Sequence, residues 1–214
     1  MQRIALPWVV YKLTGSALLL GIVSFAGQIP TFLLAPLAGV VTDKFSKYRI
    51  LVITQIAALI QALILAVLAL AGIMEIWHII VLSIALGCIN AFDVPSRHSF
   101  VIEMVERKED FGNAIALNSL MFNGARLIGP SVAGLMLSTA GEGICFLINA
   151  ISYLFVIISL SLMRVPVRET VKKSGDMLKE MKDGLSYTFG FPPIKHILIL
   201  LSVVSLLGAS YQVL

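Results

Sequence analysis

The chain has 214 residues, 58% of them hydrophobic and only 13% charged, about half the roughly 25% charged share of a soluble domain. A water-soluble domain of this size cannot hide so much apolar surface, so its solvent must be largely lipid. The net charge of +4 reads as a signal of membrane sidedness, and nucleic acid is not an expected partner.

A hydrocarbon core about 30 Å thick needs roughly 20 apolar residues per helix, and runs of that length recur along the chain. Residues 4–11 read as the tail of a first span whose beginning is absent. Lys12 then interrupts the apolar run before any small-residue cleavage site, which argues against a secretory signal. Residues 16–38, 50–74 and 143–163 carry no charge and predict three further spans, and 112–140 predicts another with a single charge, Arg126. Residues 76–92 are a shorter run that must extend through Asp93 to cross; Pro95 is expected to stop that helix, leaving Asp93 and Arg97 as an i,i+4 pair near the interface. A last apolar run fills 197–214. Cys88 and Cys145 lie inside spans and behave there as small hydrophobes, while His78, His98 and His196 sit at separate span ends without metal-ligand spacing. No metal and no cofactor are expected.

Thirteen of the sixteen Lys and Arg fall in alternate connections: Lys44, Lys47 and Arg49; Arg97, Arg107 and Lys108; and seven between Arg164 and Lys195. Positive loops stay cytoplasmic, so the second span is expected to run outward to inward, with the others alternating. The connection from Arg164 to Pro193 places Met177, Leu178, Met181 and Leu185 on one helical face. It predicts a short amphipathic helix at 176–188 on the cytoplasmic surface, ended by Gly190-Phe191-Pro192-Pro193. The domain reading is therefore a helix bundle at 1–163, a cytoplasmic linker at 164–193 and the start of a further span at 194–214.

Between the second and third spans the sequence turns through Gly39, Asp43, Lys44, Lys47 and Arg49, with Ser46 among them. A small residue, an acid four positions on and then a basic cluster resemble the signature loop of the major facilitator superfamily, with Ser46 where glycine is usual. The resemblance implies an all-α, twelve-helix membrane fold made of two six-helix halves. It also implies that this loop latches the halves in one state of a transport cycle. In the fifth span, Gly129, Pro130, Ala133 and Gly134 resemble the motif of the superfamily's drug:proton antiporters, with alanine replacing glycine at Ala133 and Ala125. Small residues at such spacing permit close helix packing. Together with Asp93-Val94-Pro95-Ser96-Arg97, the chain is similar to the exporter branch that includes enterobactin and macrolide efflux proteins.

Arg126 lies too deep to reach either surface with ease, and a cation there costs at least about 2.5 to 3.5 kcal/mol. Its partner is either a substrate anion or polar group in a central cavity, or a permanent structural group. Arg3, Gln28, Asn118, Asn123, Asp93 and Arg97 complete the substrate and coupling candidates. The resemblance implies export of an amphipathic small molecule, such as a drug, macrolide or siderophore, from the inner membrane of a prokaryote. Protons are the implied coupling ion, and the C-terminal half of the same transporter the implied partner. A lysolipid flippase or nutrient importer of the same fold, or a non-transporting sensor or scaffold, is the alternative. Convergent acid, base or metal groups of an enzyme do not gather at one depth.

Overall fold

A computed structural model describes residues 2–105, 108–163, 190 and 192–209. Its regular structure among these residues is helical: α1 (Gln2–Thr14), α2 (Ala17–Lys44), α3 (Lys47–Leu70), α4 (Ile76–Met104), α5 (Phe111–Thr139), α6 (Gly141–Leu162) and α7 (Pro192–Ala209). A short 3₁₀ turn, Lys108–Asp110, precedes α5. Five helices, α2 to α6, are long and apolar enough to cross a membrane. The chain divides into two compact units, 1–170 and 171–214. The second contains α7, whose residues Ile197–Leu201 are exposed apolar side chains. The amphipathic helix expected at 176–188 lies outside the described residues.

In lipid every backbone polar group must be satisfied within the chain, so apolar runs of this length fold as helices. Their junctions are short because sequence chemistry ends them sharply. The Ser16 side chain accepts from the Leu19 backbone N–H at 3.4 Å and caps α2. Glu75 and His78 form a reciprocal capping box at the start of α4. Only Phe45 and Ser46 separate α2 from α3. Gly15 (φ 60°) and Gly141 (φ 82°) turn the chain at the opposite end in the left-handed region, which other residues enter at a cost. The helices therefore run up and down, with Lys44, Lys47 and Arg49 gathered at one end, the basic end.

Within the first unit α2 packs chiefly on α4, and α3 on α6 and α4. Near the end opposite the basic cluster, Val9, Val10, Leu65, Ile79, Cys145 and Phe146 join one apolar core drawn from α1, α3, α4 and α6. A smaller cluster of Leu51, Phe100 and Leu160 lies towards the basic end, with the Tyr48 and Phe100 rings 6.3 Å apart. Among the described glycines the tightest approach is between α2 and α4: a Cβ added at Gly87 would come within 2.3 Å of the Gly27 carbonyl oxygen. Outside these contacts the helices present large apolar side chains such as Phe25, Phe32, Leu120 and Leu127, the surface that a lipid solvent requires.

Helix α4 does not stop at Pro95 but runs unbroken through it to Met104. Proline removes one backbone bond, which a membrane helix tolerates when neighbouring groups hold it in place. Two residues flanking Pro95 are so held: Ser96 shares a hydrogen bond with Thr42 of α2 at 3.2 Å, and Asp93 is bonded to α3. Asp93 thus becomes the eighteenth of 29 residues in α4, inside the span and not at its border.

Candidate functional site

Two polar assemblies cross the apolar interior of the first unit. Nearer its middle, the Gln2 amide donates to Gln61 Oε1 at 3.2 Å, Gln61 donates to the Leu82 carbonyl at 3.1 Å, and Asn149 donates to Gln2 Oε1 at 3.1 Å. Four helices, α1, α3, α4 and α6, are joined by side chains up to 147 positions apart. Each amide is satisfied by another, as burial in a low-dielectric interior demands. Tyr153, one turn along α6 from Asn149, lies within electrostatic reach of Asp93, Arg97 and Arg3.

The second assembly is centred on Asp93, whose carboxylate is buried at 5% exposure. Its Oδ1 accepts from Gln55 Nε2 at 2.7 Å and from the Thr54 hydroxyl at 3.0 Å, and its Oδ2 accepts from Arg97 Nη2 at 2.6 Å. The i,i+4 spacing of Asp93 and Arg97 sets the acid below the base on one helix face. Thr54 and Gln55 lie two turns into α3 from Lys47, so the carboxylate sits about 11 Å inside the basic end. Beside it, an apolar hollow of about 340 Å³ between α3 and α4 is lined by Ile50, Thr54, Cys88 and Phe92 among others.

At the basic end, Lys47 Nζ lies 2.6 Å from Glu103 of α4, a partly buried pair. Asp43 is exposed at the end of α2, and Arg49 is exposed in α3. Gly39 is half-buried, and a Cβ there would meet nothing within 4 Å. The loop is thus tied to α4 through Lys47 and Glu103, and it carries in Asp43 an acid that no described residue engages.

Helix α5 is the least buried of the spans. Arg126, sixteenth of its 29 residues, is exposed and makes no ion pair among the described residues. Its guanidinium carbon lies 5.1 Å from the centre of the Phe122 ring, within the range of a cation–π contact. Asn118 is half-buried and Asn123 exposed. Asn118, Phe122 and Arg126 recur every four residues and so share one face. In the small-residue motif Ala133 is buried, Gly129 half-buried, and Pro130 and Gly134 exposed; a Cβ at either glycine would meet nothing within 4 Å. Arg3 and Gln28 are exposed on α1 and α2.

The structure thus brings Asp93 and Arg97 together and leaves Arg126, Asn118 and Asn123 on an open helix face. Sequence reasoning missed the Gln2–Gln61–Asn149 network and the capture of Gln55 by Asp93. The amides themselves were the available signal, since an amide inside a span generally bonds a neighbouring helix.

A family model described as transmembrane secretion effector matches residues 1–213. The chain belongs to that family, within the major facilitator superfamily. It is similar to the staphyloferrin A transporter of Staphylococcus aureus, with 31% identity over 73% of this chain and 39% of the relative. It is also similar to the multidrug efflux pump Tap of Mycolicibacterium fortuitum, with 25% identity over 92% of this chain and 50% of the relative. Macrolide efflux protein A of Streptococcus pyogenes is 19% identical over 86% of this chain and 46% of its own length. The chain spans about half the length of the curated relatives it matches. No solved structure gives a significant match. With five membrane-length apolar helices and bacterial transporters as relatives, this is an integral, multi-pass protein of the bacterial plasma membrane and a member of a transporter family.

Proposed function

We propose that this chain is the N-terminal half of a secondary exporter of amphipathic small molecules, which works by alternating access with a C-terminal half and is driven by a counter-flow of protons. On this reading residues 1–163 form the six-helix bundle, 164–193 a cytoplasmic linker and 194–214 the start of the seventh span. The basic end faces the cytoplasm. Relatives named for staphyloferrin A, multidrug and macrolide transport support a small-molecule substrate, and the chain's half-length coverage of them supports a second half.

The observation that carries the reading is Arg126, a cation halfway along a membrane-length helix, exposed beside Phe122 and without an ion pair among the described residues. Its insertion cost of about 2.5 to 3.5 kcal/mol is offset only by a group that arrives from outside this bundle. An amide, an aromatic ring and a guanidinium on one face offer a hydrogen bond, an apolar platform and a charge, the combination an amphipathic ligand needs. Exposed Asp43, next to Lys44 and flanked by Lys47 and Arg49, is the acid through which the loop engages the second half.

The test uses inverted membrane vesicles containing the full-length protein, radiolabelled erythromycin or staphyloferrin A, and an imposed pH gradient. Gradient-driven uptake is expected for at least one of the two. Arg126→Ala should abolish it at unchanged melting temperature, and Arg126→Lys should rescue poorly, because an ammonium cannot reproduce the planar five-donor fork. A large fall in melting temperature with ligand binding preserved would make Arg126 architectural instead. Flux only in the reverse direction would make the protein an importer.

A further inference from the structure

The exporter reading requires a proton-binding group and does not name one, while the bundle contains a carboxylate that the reading leaves idle. Most other described carboxylates are at helix ends or in connections. Asp43 is exposed at the end of α2. Glu75 caps α4 and accepts from the Trp77 indole at 2.6 Å. Glu103 holds Lys47 and Glu142 holds Lys12, and Glu109 and Asp110 lie in the 3₁₀ turn before α5. Among the described residues, Asp93 is the carboxylate that is both buried and well inside a span.

Its two oxygens have unlike partners. Oδ1 is anchored to α3 by Gln55 and Thr54, whereas Oδ2 accepts from Arg97 Nη2. Arg97 is the looser member, with a side chain 52% exposed against 7% for Asp93. Four residues nearer the basic end than Asp93, about 6 Å along the axis, it can turn to water there. The groups facing this pair are few. Helix α2 contributes the Thr42 hydroxyl bonded to Ser96, α3 contributes Thr54 and Gln55, and α6 contributes Tyr153, which Arg3 of α1 also reaches electrostatically. Further from the basic end, Asn149, Gln2 and Gln61 form a separate hydrogen-bonded group.

We propose that Asp93 is a proton-binding site of this bundle and that proton binding there and the docking of Arg97 are mutually exclusive; the proposal rests on the proton-coupled exporter reading. A proton reaching Oδ2 occupies the lone pair that holds Nη2, so the hydrogen bond to Arg97 breaks. The pair passes from neutral to a single positive charge. The acid stays fixed through Oδ1 while the guanidinium turns towards the basic end. When Arg97 returns, the proton leaves Oδ2 for water on that side. The free guanidinium links proton occupancy to the shape of the mouth between α3 and α4, which is the link a counter-flow mechanism requires.

The test is infrared difference spectroscopy of the full-length protein in lipid, between acid and alkaline pH, with no substrate present. A protonated-carboxyl band is expected in the native protein. It should vanish in Asp93→Asn, change frequency in Asp93→Glu, and change in intensity or frequency in Arg97→Gln, which removes the partner of Oδ2. Asp93→Glu keeps an acid at the site and decides the matter if the asparagine variant does not fold. A band absent from the native protein, or unaltered by these substitutions, overturns the proposal. Erythromycin or staphyloferrin A flux in the same preparation separates the two readings: flux without an Asp93 band removes this site alone, whereas an Asp93 band without gradient-driven flux removes the exporter.

Discussion

Alanine at Gly87 should push α2 and α4 apart. The added Cβ would lie 2.3 Å from the Gly27 carbonyl oxygen, 3.2 Å from the Gly27 carbonyl carbon and 3.2 Å from Pro30 Cδ. Two of these atoms are backbone and the third is held in a ring, so no flexible side chain can yield. Ordinary contact needs about 3.5 Å, and the helices must separate by about 1 Å. That shift loosens the bond from the Thr31 hydroxyl to the Gly87 carbonyl, now 3.0 Å. Overpacking costs about 1 to 3 kcal/mol and the weakened hydrogen bond about 1 kcal/mol. Alanine's better helix propensity returns about 1 kcal/mol, leaving a net loss of about 1 to 3 kcal/mol. At about 2 to 4 °C per kcal/mol for a chain of this size, the melting temperature should fall by about 4 to 8 °C for a loss near 2 kcal/mol. The assay is thermal unfolding in detergent, with Gly21→Ala as the control, because a Cβ at Gly21 meets nothing within 4 Å. The same melting temperature for both variants would refute the close crossing of α2 and α4.

Gln61→Leu removes two bonds from a buried network. Interhelical bonds in membranes average about 0.6 kcal/mol with a maximum near 1.7, so a loss of about 1 to 3 kcal/mol is expected in the same melts, and no loss would mean that the amides are not paired. Asp43→Asn changes an exposed acid and should leave the melting temperature unchanged while slowing erythromycin or staphyloferrin A turnover in vesicles. Equal loss of binding and turnover would exclude a latch. The Lys47–Glu103 pair, with side chains 15% and 33% exposed, should show a coupling of about 1 kcal/mol in a double-mutant cycle of Lys47→Met and Glu103→Gln; zero coupling would make it incidental.

The sequence by itself determined the class, the number of membrane-length helices and which connections share an end. The physical reason is that these are one-dimensional constraints. Bilayer thickness fixes the length of an apolar run, an unpaired backbone in lipid leaves helix as the solution, and Lys and Arg accumulate in alternate connections. The i,i+4 spacing of Asp93 and Arg97 was equally legible, because it depends on one helix alone. Pairings between helices were not legible, since they depend on the rotation and depth of each helix relative to its neighbours, which no local pattern encodes. Gln2, Gln61 and Asn149 looked like three separate amides until packing set them at one level. Small residues along α5 permit close packing, yet within this bundle the helices come close at Gly27 and Gly87. Pro95 looked like a stop, and only the bonds from Ser96 to Thr42 and from Asp93 to α3 show why the helix continues through it. That continuation places Asp93 eighteenth of the 29 residues of α4 and not at its end, so tertiary structure decided that this carboxylate is buried between helices.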